Sequence, residues 1–406
     1  MLPKIPTPAA AALSYSSLQT KYGDFSFPKA DILLNKKPLA ATSGAHFVVN
    51  DIHVETTSGF EASIATFRIY NTYDFKQGKF RYDELKAQLF IGASVSLSLG
   101  YIEAVEIVFV GFVAGISFGY MPDDLPYIEV SAMDVKSLMM GGPYSYQLTS
   151  KTYGEAVNEI FRRTGYAKLK AMGGITALNI SDTPDKKPGA GGAQKASAET
   201  IEMVAESDYE FIVKAAKKYN FEFFVDRGTV YFRKAKSITS PVAELAVSKG
   251  VLGFHTEYSL TGIVGKIEAR AMDAGQGKVI TSSKTLQKKL SVSGKAEGLV
   301  GKASKIYIDP SISSKEQADE RVNSLMEQMS YRLGSLEADC VGIPDLVPGR
   351  FIAFSGMGAP IDNNFYITTV VHEFTAEGGY HTKIKGCAAD VKATGLSRMQ
   401  GAGSLL

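Results

Sequence analysis

The sequence predicts a mainly β chain of the α+β kind, in which two runs of short strands flank a helix-containing segment. Three observations carry this. The 406 residues include 20 Tyr, 22 Phe and 39 Gly, and with abundant Val, Ile and Thr that mix favours pleated, half-buried strands. Residues 20–134, and the chain beyond about 240, break into strand-length runs separated by Gly, Pro and Asp signals. Between them lie Thr152-Tyr153-Gly154-Glu155 and Ser207-Asp208-Tyr209-Glu210, capping boxes of the kind that open helices.

From the N-terminus, residues 1–20 read as an extended arm. The apolar run Ala9–Leu13 is shorter than the about 7–15 residues of a secretion signal. Residues 21–134 read as a first β-barrel domain. Ala62–Tyr70, Val95–Leu99, Ile107–Ala114 and Tyr127–Ala132 are its strands, with a turn at Met121-Pro122-Asp123-Asp124. Short strands at this spacing indicate a sandwich or small barrel. Leu89–Tyr120 is the most hydrophobic stretch, but Glu103, Glu106 and repeated glycines interrupt it. A membrane helix needs about 20 apolar residues with almost no charge, so buried strands are expected.

Residues 135–235 read as a helix–hairpin α/β domain. The Thr152 helix carries Ala156, Val157, Ile160 and Phe161 on one face, with Gly165 as its stop. Residues 181–198 have no apolar period and read as a flexible loop; no Gly-Lys-Ser/Thr ending makes them a phosphate loop. The Ser207 helix buries Ile212, Ala215, Ala216 and Tyr219 and exposes Lys214, Lys217 and Lys218, with Asn220 as a left-handed stop. Phe221–Val225, the turn Asp226-Arg227-Gly228, and Thr229–Arg233 form a hairpin.

Residues 236–390 read as a second β-barrel region with a helix over 314–333. That helix starts at Ser313, with Glu316 completing a capping box, and buries Ala318, Val322, Leu325, Met326, Met329 and Leu333. Leu336–Val341, Gly349–Phe354, Phe365–Phe374 and Tyr380–Gly386 follow as strands. Residues 391–406 read as a tail, mobile unless a partner orders it.

The residues nominate no catalytic, cofactor-binding or metal-binding site. Net charge is +2, which gives no strong electrostatic case for nucleic acid or acidic membranes. Cys340 and Cys387 are too few for a disulfide framework or a zinc site; two free or buried thiols are expected, with one bridge between them left open. No His-Glu-x-x-His or Cys-x-x-Cys occurs. Gly115-Ile116-Ser117-Phe118-Gly119 matches Gly-x-Ser-x-Gly, but a nucleophile elbow needs a helix after the serine, and a Pro-containing turn follows here. His372 falls in an alternating strand with Tyr366, Thr368, Val370 and Phe374 on its side and reads as a structural histidine, with Glu373 on the opposite face. A carboxylate pair of the glycosidase kind depends on spatial separation, and no sequence feature nominates one.

The helix–hairpin residues Glu206-Ser207-Asp208-Tyr209-Glu210-Phe211, Tyr219–Phe224 and Gly228–Phe232 resemble the late-control protein D family. Val130–Asp134, Pro344–Gly349, Tyr366–His372 and Gly379–Thr382 fit the same pattern, so the resemblance spans roughly residues 60–386. That family includes hubs of contractile phage tails and the N-terminal part of VgrG proteins of type VI secretion. The positions that carry the likeness are Ser207, Asp208, Tyr209, Glu210, Phe211, Phe221, Phe223, Gly228, Tyr231, Pro348, Gly349, Tyr366, His372 and Tyr380.

The resemblance implies two related small β-barrels plus helix-containing inserts in a ring-forming homotrimer. Six barrels per trimer face a hexameric tail tube, and the threefold axis faces a trimeric central spike. It further implies no enzymatic activity and no cofactor, contacts with other baseplate proteins, no specific nucleic-acid recognition and no stable membrane insertion. Assembly in the bacterial cytoplasm and residence at the baseplate of the released particle follow. VgrG proteins continue into an OB-fold and a β-helical needle. No such repeat precedes Leu406, so a separate spike polypeptide is expected. The competing expectations are a tail-tube or distal-tail protein, a cell-wall-degrading enzyme on a β scaffold, and a carbohydrate-binding adhesin.

Overall fold

The computed structural model describes residues 12–39, 47–183, 201–273, 277–310 and 312–392. Most of the expected loop 181–198, residues 1–11 of the arm, residues 393–406 of the tail, and His46 lie outside the described residues. The rest of the arm is extended only at its start and then turns helical. Leu13–Ser14 pairs in parallel with Ala243–Glu244, and helix α1 (Tyr15–Lys21) follows, capped by the Ser14 hydroxyl. Leu18 and Tyr22, four residues apart and so on one helical face, are fully buried. That burial pulls the segment onto the barrel.

The N-terminal half is built from β1 (Pro28–Leu34), β2 (Val48–Thr57), β3 (Ile64–Tyr70), β4 (Ser94–Tyr101), β5 (Val105–Gly119) and β6 (Tyr127–Met133). Ala65, Phe67 and Ile69 alternate inward from β3, as Val95, Leu97 and Leu99 do from β4. The hydrophobic stretch is thus strand, and among the described residues no helix is long and apolar enough to cross a membrane. Strand β5 serves two partners, Val105–Phe112 pairing with β4 and Phe112–Gly119 with β6. Gly111 permits this handover, because a Cβ there would lie 2.3 Å from the Met133 carbonyl oxygen.

The first insert holds α2 (Val135–Met139), β7 (Tyr144–Leu148), α3 (Tyr153–Phe161), α4 (Thr164–Met172), β8 (Ala177–Ile180), β9 (Ile201–Glu206), α5 (Asp208–Tyr219), β10 (Phe221–Asp226) and β11 (Thr229–Lys234). Both expected capping boxes close, Thr152 with Glu155 and Ser207 with Glu210. Gly165 does not stop α3, which ends one residue before Arg162. It sits instead in the first turn of α4, and the left-handed stop is Gly173 at φ 92°.

The C-terminal half adds β12 (Pro241–Val247), β13 (Gly250–Tyr258), β14 (Lys266–Asp273), β15 (Lys278–Thr285), β16 (Ser304–Ile308), α6 (Lys315–Ser330), β17 (Gly334–Val341), β18 (Phe351–Phe354), β19 (Asn363–Thr375) and β20 (Gly379–Ala388). Strands β12-β13-β17-β20-β19-β18 close on themselves as a six-strand barrel. Between β13 and β17 a second insert emerges, a three-stranded sheet ordered β15-β14-β16 with α6 against one face. The start of α6 also differs from expectation. Ser314, not Ser313, is its N-cap, and Gln317, not Glu316, is the reciprocal partner, accepting from the Ser313 amide at 2.8 Å.

The expected two barrels are therefore one closed barrel and one open curl. Strand β19 explains the difference. Its first residues pair with β18, while Thr369–Phe374 pair with β2. The edge of β2 that could have closed the N-terminal run is thereby occupied. One sheet of 14 strands runs through both halves, and one core joins Phe67 and Leu97 to Ile352, Phe365 and Ile384. Among the described residues no ladder joins β1 to β2.

Candidate functional site

The residues that carried the family resemblance fall into three places. The first is the start of α5. Ser207 and Glu210 cap it reciprocally, with the Glu210 carboxylate accepting from the Ser207 amide at 2.7 Å. That amide bond, with the Ser207 hydroxyl, holds the Glu210 carboxyl below its usual range. Asp208 is buried and accepts from Arg163 Nη1 at 2.6 Å and from the Tyr166 hydroxyl at 2.7 Å. A carboxylate in the first turn also faces the positive end of the helix. The Tyr209 hydroxyl donates to the Phe60 carbonyl at 3.1 Å, tying α5 to the β2–β3 connection. Phe211 and Phe223 are core residues of the insert, and Phe221 packs at its edge, 5.0 Å from Phe232 between ring centres.

The second place is the junction of the hairpin with the barrel. Glu222 and Arg233 face each other across β10 and β11 and bond at 2.6 Å, both almost wholly buried. The Tyr366 hydroxyl of β19 donates to the other Glu222 oxygen. Arg233 Nη2 donates to the Gly349 carbonyl at 2.7 Å. Tyr231 stacks on Phe224 at 4.8 Å and 11°, and the Arg233 guanidinium lies over both rings. Gly349, at φ 78°, is required: a Cβ would lie 2.5 Å from Phe224 Cζ. Pro348, beside it, is buried. At the hairpin turn Arg227 and Gly228 have φ 50° and 76°, Arg227 donates to the Pro344 carbonyl at 2.6 Å, and Gly228 abuts Val110 of β5.

The third place is the barrel interior. Burial of His372 pulls its pKa down to about 3, with the Arg227 charge adding to the effect. Its Nδ1 lies 2.9 Å from the Tyr380 hydroxyl and 3.2 Å from Thr382 Oγ1. It is a satisfied structural histidine. The Tyr380 ring continues a column through Tyr101 to Tyr22, with centre separations of 5.8 and 5.7 Å. Tyr22 ends on Asp345 at 2.6 Å. Tyr366 and Thr368 do not share His372's face, because a bulge between Ile367 and Thr369 reverses the alternation. Phe365 and Ile367, then Val370, point into the core, and Tyr366 points to the hairpin.

These three places bring the signature residues together as joints. Glu222, Arg233 and Arg163 were not singled out from sequence. Glu222 and Arg233 are an opposite-charge cross-strand pair in a hairpin that was legible, so strand register was the available signal. Ser117 lies within β5, and no helix follows it. Among the described residues no three His, Cys, Asp or Glu groups gather as a metal site. Cys340 and Cys387 are free, opposite Thr382 and Ser335 respectively. Burial pushes their thiols up to about 12 and about 11, away from the reactive thiolate. A cavity of about 600 Å³ lies between Leu138, Tyr144, Tyr146, Arg163, Tyr166 and Asp208, where the arginine and the carboxylate already satisfy each other.

The fold matches solved tail proteins. A tail protein from Neisseria meningitidis MC58 aligns with TM-score 0.62 and 11% identity, covering 89% of this chain and 97% of that one. The 43 kDa tail protein of prophage MuSo2 from Shewanella oneidensis gives TM-score 0.61 and 14% identity over 88% and 98%. An E. coli type VI secretion component, described as similar to the T4 tail proteins gp27 and gp5, gives 0.50 and 14% over 90% and 77%. A sequence model of the family described as Alg8 N-terminal domain matches residues 192–376, less than half of the chain. That match stops in the turn before β20 and so leaves out a strand that closes the barrel. No curated protein matches the sequence.

Proposed function

We propose that this chain is the structural baseplate hub of a contractile phage tail or a phage-like contractile injection system. In this reading it is a homotrimeric adaptor of the late-control protein D and VgrG type, without enzymatic activity, joining a hexameric tail tube to a separate trimeric spike and contacting other baseplate proteins. It assembles in the bacterial cytoplasm and resides at the baseplate of the released particle. One observation carries the reading: the chain shares its fold over about nine-tenths of its length with two proteins described as tail proteins. The likeness to a type VI secretion component described as similar to gp27 and gp5 supports the hub among tail proteins.

The geometry suits the task. The closed barrel and the open curl give each chain two β units, so three chains offer six to a hexameric tube and threefold symmetry to a spike. Strand β19 joins the two units in one continuous hydrogen-bonded sheet. The signature residues lock the first insert to that sheet instead of lining a reactive cleft.

Light scattering tests this directly. The purified chain, alone or with its spike protein, is expected at three times the 43.7 kDa chain mass, and electron microscopy of the trimer with tube and spike is expected to show it between them. A stable monomer that ignores both proteins, or hydrolysis of cell-wall material, rejects the reading.

A further inference from the structure

The near-neutral chain hides a polarised second insert, basic in the part before α6 and acidic in α6, where Glu316, Asp319, Glu320 and Glu327 outnumber Lys315 and Arg321. Residues 259–314 hold nine Lys or Arg against four Asp or Glu, whereas the whole chain is only +2. The acids there are largely used up. Glu268 pairs with Arg270 at 2.6 Å and Lys266 at 3.7 Å, and Asp309 pairs with Arg321 of α6 at 3.1 Å. Lys295, Lys302 and Lys305 are exposed and make no ion pair among the described residues.

The same sheet has one covered and one open face. Ile267, Ala269 and Ala271 of β14, with Tyr307 of β16, pack toward α6. Alternation puts the intervening residues on the other face. The register there places Met272 beside Val279, Arg270 beside Ile308, and Glu268 beside Ile306. Ile308 is 81% exposed and Met272 60%. Among the described residues strand β16 pairs only with β14, which leaves its outer edge without a strand partner. Exposed aliphatic residues beside the Glu268–Arg270 pair, next to an unpaired strand edge where Lys305 lies on the Tyr307 side, suit an incoming strand that alternates apolar and acidic residues. A platform for single-stranded nucleic acid would instead present aromatic rings, and the one ring of β16, Tyr307, turns to the helix.

We infer that the open face of the β15-β14-β16 sheet and the free edge of β16 dock an extended acidic segment of a partner protein. The segment adds as a strand beside β16, its apolar residues on Ile306 and Ile308 and its carboxylates toward the lysines at that edge. The site goes beyond the hub reading, because none of its residues lies in the barrel sheet. With eight residues in β14, eight in β15 and five in β16, the face covers about 330 Å², less than half of the about 800 Å² that each partner gives to a standard interface. A single contact is therefore weak, and several copies held in one assembly strengthen it by avidity.

Fluorescence anisotropy on the full chain tests this, with a labelled peptide of alternating Val and Glu, about ten residues long so that it overlaps the five-residue edge of β16 at both ends. Binding is expected at about 50 mM salt and a loss of about tenfold or more by about 300 mM. Lys302→Glu with Lys305→Glu is expected to weaken it about tenfold. Ile306→Lys with Ile308→Lys is expected to weaken it comparably, although that variant gains charge. Poly-glutamate and a single-stranded oligonucleotide are expected to bind more weakly than the alternating peptide. Each variant's melting curve is taken to confirm that it is folded, and the salt series on the unmodified chain stands whatever the variants do. Salt-independent binding, unchanged affinity in either folded variant, or an oligonucleotide that binds as tightly as the peptide overturns the inference.

Discussion

Glu222 and Arg233 bond at 2.6 Å in a site from which water is nearly excluded. Removing one partner strands the other charge, at a cost of about 3–5 kcal/mol, whereas replacing both with apolar groups is far less damaging. Glu222→Gln is therefore expected to lower the unfolding free energy in urea by about 3 kcal/mol, and Glu222→Leu with Arg233→Met by much less than the two single losses combined. Additive losses would show that the pair is not coupled. His372 makes the matching case for pH. Its folded pKa lies near 3 against an ordinary 6.5, so below pH 6.5 the unfolded chain takes up a proton that the folded chain refuses. The stability from neutral His372 is complete above pH 6.5 and is lost as pH falls toward 3, at up to about 1.4 kcal/mol per pH unit. His372→Gln keeps a partner for Tyr380 and removes this titration. Between pH 6.5 and about 4.5, before most carboxylates protonate, its stability is expected to change less than that of the unmodified chain. Equal slopes would refute the assignment.

At the scale of elements, caps separate what the sequence makes visible from what it leaves to tertiary structure. The box at Ser207 and Glu210 is a local four-residue pattern, and it forms where it was read. Before α6 two serines compete, and the Ser314 hydroxyl takes the cap by accepting from the Gln317 amide while the Gln317 side chain accepts from the Ser313 amide. Ser314→Ala is accordingly expected to cost about 1 kcal/mol and Ser313→Ala close to nothing; the reverse order in thermal melts would return the cap to Ser313. The helix–hairpin unit was legible for the same local reasons: Asn220 takes the left-handed position and the Arg227-Gly228 turn has two positive φ values. The bulge after Ile367 was not legible. It depends on β19 leaving one partner for another, and it moves Tyr366 to the face opposite His372. Nor was the β15-β14-β16 sheet, whose central strand, among its described residues, buries only Ile267, Ala269 and Ala271, a weak apolar signal that gains meaning once α6 covers it.

At the scale of the molecule, the sharing of β19 has a thermodynamic consequence. A strand whose first residues complete the barrel and whose last residues pair with β2 cannot leave one half without disturbing the other. The common core adds to this, since Phe67 and Leu97 pack in one cluster with Phe365 and Ile384. Two independent barrels on a linker would each unfold by themselves. The continuous sheet predicts that they do not. The second insert is different. Its cores are small, and among the described residues only Tyr258 belongs to both its main cluster and the barrel's. Regions with few buried contacts open first. Native-state hydrogen exchange is thus expected to show one level of protection across β2–β6 and β17–β20, reaching the global unfolding free energy, and a lower level in β14, β15 and β16. Different global limits for the N-terminal and C-terminal strands would mean that the β19–β2 ladder does not couple them, and the continuous adaptor would then lose its physical basis.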